Sequence, residues 1–386
     1  MSDKDMDYWL NAAHVHKSDY DWLDLNSDRI YQAILKGIYS KGVYLRQATQ
    51  ALFTVSRYTM TRLDYRRWWK LYLDAIVLAT NSHDYFFVLD IMARLGQGYL
   101  IDGKIDSARR VFLRVINDTP LEDLAGSEQA MLAYIGLIKV ESWDYSEDFV
   151  DDRLITQALS LAQRVGDRLL TELLYQALAS AYAHRGQTEE AIGYSLTALG
   201  YSFQRRDFLH AAMTALVLAT AYRNKGMIPQ AKQGLKFVHQ MLERVDHPQV
   251  CALAAYEQGV LCYYQQEFAL ADEWMHKAYA AFQALHMKRH ITMTVHMLGL
   301  IATETGAFEL AETRLKQAFE EWQAHNNVYE QTSVRYDLGA LAERRGERDL
   351  ARQYMHEALG ISAAITQTKA RLAMVEMIEA FLKTLN

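Results

Sequence analysis

Proline, the residue that interrupts helices, occurs three times in 386 residues, well under the roughly 5% of average usage. Nothing in the composition therefore breaks long helices. With only two cysteines, Cys251 and Cys262, a disulfide framework is excluded and a reducing compartment fits. No run of about 18 uncharged apolar residues occurs, which excludes a membrane-spanning helix. The acidic start Met1-Ser2-Asp3-Lys4-Asp5 leads into no apolar stretch of signal-peptide length, so the expected location is the cytoplasm. Positive charge is also short: 41 Lys and Arg against 47 Asp and Glu give a formal charge of -6, which argues against nucleic acid as the main partner. What the chain does have is 51% hydrophobic residues, ample for a large helical core.

That apolar content is periodic. Leu178-Ala179-x-x-Tyr182 with Gly186 and Ala191 is followed by Leu218-Ala219-x-x-Tyr222 with Gly226 and Ala231. Gly259-x-x-Cys262 with Ala271, Leu298-Gly299 with Gly306 and Ala311, and Leu338-Gly339 with Gly346 and Ala351 continue the series. The small residues at 179, 219, 259, 299 and 339 are each 40 apart. An earlier copy, Leu95-Gly96-x-x-Tyr99 with Gly103 and Ala108, precedes Gly136 by the same 40 residues, and an insertion at 141–152 stretches the step from Gly136 to Ala179 to 43.

A small residue at mid-helix lets two antiparallel helix backbones approach closely. The glycines at 103, 186, 226, 306 and 346 sit where the first helix must stop, since glycine accepts the left-handed backbone that satisfies its last carbonyls. Arg185, Lys225 and Arg345 precede three of them, and Glu189, Glu309 and Asp349 open the following helix, each charge suiting its helix end. Every unit is thus a helical hairpin that buries its apolar face only by stacking on its neighbours.

At these residues the pattern resembles the tetratricopeptide repeat, with a leucine and small-residue pair, an aromatic three later, a turn glycine and alanines at the crossings. The resemblance runs from Tyr44 to Leu359. It departs in period: the common repeat has 34 residues and this one 40, about six more, which lengthens the helices by roughly 9 Å in total per hairpin. Repeats of this length are similar to those in sensor regions of STAND signalling ATPases, in peptide-sensing bacterial regulators and in some eukaryotic adaptors. The resemblance implies an all-α, right-handed superhelix (an α-solenoid) of about eight hairpins. Along the chain the expected order is a polar N-terminal segment at 1–20, helices with a degenerate first repeat at 21–90, repeats at 91–360 and a C-terminal capping helix at 361–386. The implied function is non-catalytic: a sensor, adaptor or regulator that binds a protein or peptide and passes the event to a separate effector, with no cofactor.

Several groups mimic catalytic or metal motifs. Gly98-x-x-x-x-Gly103-Lys104 approaches a phosphate-binding loop, but Ile105 stands at the Ser/Thr position and the segment belongs to a hairpin. His286 and His290 are four apart with His296 nearby, yet no glutamate completes a zinc-protease pattern, and His14 and His16 are weaker still. Cys262 stands at the repeat's aromatic position, an ordinary place for a small buried hydrophobe, with Cys251 in the same helix. Ser195 after Gly193 lacks the second glycine of a nucleophile elbow. Asp144, Glu147, Asp148, Asp151 and Asp152 lack the spacing of a calcium loop and read as a solvated insertion. Arg57, Arg62, Arg66, Arg67 and Lys70 interleave with Tyr58, Tyr65, Trp68 and Trp69, the mix that grips single-stranded nucleic acid but also the mix of an ordinary amphipathic helix.

In tetratricopeptide proteins, positions three before, one after and four after the small residue line the concave surface. By that register the resemblance implies a partner-binding stripe of Tyr256, Tyr263, His296 and Tyr336, with Gln176 and Arg223 as hydrogen-bonding neighbours. Rigid tyrosines give large contact area at low entropic cost, which suits a peptide or protein segment. The lysine and asparagine set that clamps a C-terminal carboxylate in some family members is missing.

Overall fold

The computed structural model describes residues 1–16, 20–40, 44–55, 65–81, 85–101, 104–119, 124–143, 152–184, 186–245, 247–365 and 368–385. Every element among them is an α-helix. The chain divides into two compact units, Met1–Leu137 and Ile138–Asn386.

In the first unit, α1 (Asp3–Val15), α2 (Tyr20–Ile38), α3 (Leu45–Thr54) and α4 (Tyr65–Asn81) share one core containing Leu10, Leu23, Ile34, Leu52 and Trp68. Buried within it, the Tyr72 hydroxyl donates to the Leu52 carbonyl at 3.1 Å. Most of the stretch expected as a polar N-terminal segment is helix α1. Ser2 caps it, accepting from the Asp5 amide, while the Asp5 carboxylate accepts from the Ser2 amide, a capping box. Met6, Leu10 and Ala13 form a buried stripe beneath the aspartates that make the segment look polar. Next come α5 (Tyr85–Ile101), α6 (Ile105–Asp118) and α7 (Leu124–Trp143). The Phe112 ring of α6 fills space that two glycines leave: a Cβ added at Gly96 would stand 2.4 Å from it, and one at Gly136 2.2 Å.

The second unit is a stack of hairpins. After α8 (Asp152–Val165) it pairs α9 (Arg168–His184) with α10 (Thr188–Arg205) and α11 (Phe208–Asn224) with α12 (Ile228–Leu242). The series continues with α13 (Pro248–Tyr264) and α14 (Phe268–Ala284), then α15 (Lys288–Glu304) and α16 (Phe308–Ala324), then α17 (Val328–Arg344) and α18 (Arg348–Ser362). Finally α19 (Thr368–Thr384) packs Met374 and Ile378 against Met355 and Ala358 of α18.

Of the expected turn glycines, Gly186, Gly226, Gly306 and Gly346 are left-handed, from φ 70° at Gly186 to φ 80° at Gly346, with open space where a side chain would be, and Gly103 lies outside the described residues. The periodicity is finer than the glycines alone disclose. Among the described residues, left-handed positions fall on a 20-residue spacing: Arg206, Gln266, His286 and Asn326 have φ of 55°, 61°, 54° and 53° and do the same work at turns without glycine. At each, the next amide reaches back five residues, as in Gln187 to Tyr182 at 3.0 Å, Glu267 to Cys262 at 3.0 Å and Asn327 to Trp322 at 3.1 Å. This closure ends both helices of the α9–α10, α13–α14 and α15–α16 hairpins in the same way.

Small residues at the crossings are matched by bulk sixteen residues on. A Cβ at Gly259 would meet Met275 at 2.9 Å, at Gly299 Leu315 at 2.8 Å and at Gly339 Met355 at 2.6 Å. Ala219, larger than glycine, faces Gly234 across its crossing. Close approach at this crossing is kept because Gly234 leaves room for the alanine beside buried Leu235, the bulky residue sixteen on.

First helices α9, α11, α13 and α15 each pack on the first helix of the next hairpin and α17 packs on α19, whereas second helices make no comparable contact with one another among the described residues. A stack that is tighter on one side curves toward that side. The first-helix layer is therefore the inner wall of this unit.

Candidate functional site

The inner wall carries polar groups in pairs that cross from one hairpin to the next. From α9, Gln176 donates through Nε2 to Thr214 Oγ1 of α11 at 3.1 Å, with both residues buried. From α11, Arg223 donates through Nε to Glu257 Oε1 of α13 at 2.5 Å, and its Nη2 lies 3.4 Å from Oε2. These two side chains are 13% and 7% exposed, so the pair is largely withdrawn from water. The same guanidinium stands 5.5 Å from the centre of the Tyr264 ring. His296 of α15 faces Asp337 of α17, Nε2 to Oδ2, at 2.6 Å. Further along the same two helices, Arg344 Nη2 contacts both carboxylate oxygens of Glu304 at 2.7 and 2.8 Å.

Burial opposes protonation of His296, and the Asp337 hydrogen bond and charge outweigh it, leaving the imidazole above its ordinary value. For Arg223, burial pulls the guanidinium down and Glu257 more than offsets it. Tyr263 is pushed up to about 12, first by burial and then by the charges of Glu304 and Asp337. Burial likewise raises Tyr256, with Glu257 adding to it.

Each stripe residue expected from the register has a defined place. Tyr256 is half-buried and leans on Phe282 of its own hairpin. Tyr263 stands edge-on to Tyr264 and to Phe268. Tyr336 packs against Phe381 of α19, which covers that end of the wall. Gln176, Arg223 and His296, expected as groups facing a ligand, are instead engaged by Thr214, Glu257 and Asp337, because hairpins this close bring the first-helix side chains within reach of one another. The large side chain standing out from the wall is Tyr264, 61% exposed and absent from the expected stripe. It lies five after the small residue, one beyond the last position of the register. Glu257 and Asp337 were also missed: both stand two before the small residue, but Ala177, Val217 and Met297 hold that position in the other repeats, so it carried no repeated signal.

The other groups resolve as follows. His290 packs on Phe282 and is pushed down to about 3 by burial and then by the charges of Arg289 and His184; His286 is exposed at a turn. No cluster of three or more metal-ligating side chains occurs among the described residues. Cys262 is buried, its thiol raised by that burial and contacted by Gln258 at 3.6 Å, while Cys251 is exposed. Ser195 is buried in α10. Among the described residues no helix is long and apolar enough to cross a membrane. Gly103 of the near phosphate loop, Asp144 to Asp151 of the acidic insertion, and Arg57, Tyr58 and Arg62 lie outside the described residues, as do the side chains of Tyr65, Arg66, Arg67 and Trp69.

No protein-family model matches the chain, and no curated protein does. Solved structures do. A human IFIT1 dimer with m7Gppp-AAAA is 16% identical with a TM-score of 0.56, over 100% of this chain and 87% of that one. A Rap protein complexed with competence and sporulation factor is 12% identical with a TM-score of 0.52, over 99% of both chains. The tetratricopeptide-sensor STAND protein of Pyrococcus horikoshii is 13% identical with a TM-score of 0.51, over 92% of this chain; the chain spans 54% of that protein's length. The chain is a tetratricopeptide-like helical repeat protein, all-α and built as a solenoid of hairpins.

Proposed function

We propose that this chain is a non-catalytic binding module that takes a protein or peptide segment along the inner wall of its second unit and regulates a separate effector. One observation carries the reading: α13 presents Tyr256, Tyr263 and Tyr264 from the layer where neighbouring hairpins pack most closely, with Tyr264 largely open to solvent. Rigid aromatics held by packed helices lose little freedom on contact, and tyrosine is enriched at binding hot spots. The Rap protein of similar fold is complexed with competence and sporulation factor, which lends the same reading outside support. Cross-linking in native extract followed by mass spectrometry, run on wild type and on Tyr264→Ala, is the test. A partner captured by wild type and lost from the variant is the expected result; identical captures would remove the wall from consideration.

A second reading has its own observation. The alignment to Rap covers 99% of each chain, so the likeness includes the N-terminal helices as well as the repeats. On this reading the chain would be a peptide-controlled regulator acting on a response regulator, and accelerated loss of phosphate from a response regulator in its presence would favour it. A nucleic-acid ligand is less supported, because the wall's arginines Arg223 and Arg344 are held by carboxylates; RNA affinity falling steeply with salt would reverse that order.

A further inference from the structure

The cations of the inner wall between Arg223 and Arg344 are already engaged. Arg223 is held by Glu257, His296 by Asp337 and Arg344 by Glu304, each acid standing on the neighbouring first helix. A ligand carboxylate or phosphate would have to displace one of these built-in acids, and at Arg223 it would leave a buried Glu257 without its partner. The acids are not balanced in the same way. Glu330 of α17 acts by its charge on both Tyr256 and His296, and its side chain makes no hydrogen bond or salt bridge among the described residues. Glu343, at the register position of Arg223 and Tyr263, is exposed and likewise without one. The same wall offers the Tyr264 ring, largely open to solvent although the Arg223 guanidinium stands over it and Tyr263 lies edge-on to it.

Resting on the binding function proposed above, we infer that the segment taken by this wall is basic: an extended peptide that places arginine or lysine side chains against Glu330 and Glu343 and over the Tyr264 ring. Carboxylates and aromatic faces both attract guanidinium groups, and the complementary charge both selects the partner and speeds its encounter. The wall's downstream end is closed by Phe381 on Tyr336, so such a segment lies along α11 to α17 and stops there.

The test uses fluorescein-labelled nine-residue peptides of repeating alanine, arginine and leucine, with analogues carrying glutamine or glutamate at the arginine positions. Anisotropy is measured at about 0.15 M salt, where bulk attraction is screened beyond roughly 8 Å. The arginine peptide should bind at least tenfold more tightly than the glutamine analogue. That preference should fall at least fivefold in the double variant Glu330→Gln/Glu343→Gln, and remain in Glu190→Gln/Glu309→Gln, which removes the same charge from second helices. Equal loss in both double variants would reduce the effect to bulk charge and overturn the inference. Binding of the glutamine or glutamate peptide as tight as the arginine peptide, and lost in Tyr264→Ala, would overturn it too while leaving the binding function standing. If none of the three peptides binds, the basic-segment inference fails, and the capture experiment on Tyr264 decides separately whether the wall binds anything.

Discussion

His296 and Asp337 join the first helices of two successive hairpins, imidazole Nε2 lying 2.6 Å from carboxylate Oδ2. Because the folded imidazole is raised above its ordinary value of 6.5, the sense of its pH dependence follows. The contribution is fully present below about pH 6.5 and is lost as pH rises through the folded value. His290 works the other way: held down to about 3, it favours the folded chain above about pH 6.5 and disfavours it increasingly as pH falls. Replacing Asp337 separates the two. Asp337→Asn should cost about 3 kcal/mol at pH 6, as for one partner of a largely buried pair, and less at pH 9. Thermal melts of wild type and variant from pH 5.5 to 9 check this; a difference that is constant across the range would mean the imidazole stays neutral in the fold.

Part of this architecture could be read from residue order because glycine has few alternatives. Where Gly259, Gly299 and Gly339 admit Met275, Leu315 and Met355, no other residue leaves the space, so the crossing is written in the sequence. The turn at Gln266 is a different case. Its φ of 61° is imposed by the stack on a residue with no preference for it, so only its place 40 residues before Gly306 marks it as the same turn. Helix α1 was hidden for a third reason: its buried Met6, Leu10 and Ala13 are outnumbered by surface polar residues, aspartates among them. The wall was legible as a row of tyrosines but not as a row of ion pairs. Glu257 and Asp337 occupy their register in only two repeats, and a charge pair between successive hairpins requires knowing how near their helices run.

Phe112 supplies the next prediction. Its ring stands where a Cβ of Gly136 or Gly96 would be, and an aromatic ring cannot fold aside as a methionine can. Gly136→Ala should destabilise by about 2 kcal/mol through overpacking, whereas Gly259→Ala, meeting the flexible end of Met275, should cost under about 1 kcal/mol. Combining Gly136→Ala with Phe112→Leu should recover part of the loss, a coupling that urea unfolding of the four-member cycle measures directly. Additive losses would place Phe112 away from that glycine in solution.

Gln266 sits in the left-handed region where its repeats carry Gly186, Gly226, Gly306 and Gly346. Removing its Cβ relieves a conformational cost of roughly 1–2 kcal/mol, partly offset by the greater freedom glycine has when unfolded. Gln266→Gly should therefore stabilise by about 0.5–1 kcal/mol. Asn326→Gly should gain less, since asparagine tolerates this backbone better than glutamine does. A melting temperature for Gln266→Gly at or below wild type would show that this turn is not left-handed in solution.

Arg223 and Glu257 bear on how any binding defect should be interpreted. Removing one member strands the other in a site that water reaches poorly, so Arg223→Met alone should destabilise by about 3 kcal/mol. A loss of partner binding in that variant would then report the fold as much as the contact. The double variant Arg223→Met/Glu257→Leu replaces the pair with apolar side chains of similar size and should lie within about 1 kcal/mol of wild type. Urea denaturation of the single and double variants measures both numbers. If the double variant is as unstable as the single, the pair joins α11 to α13 by more than its mutual charge, and Tyr264 becomes the sounder residue for dissecting the wall. If it recovers, binding measured in the double variant isolates what the arginine itself contributes to a ligand.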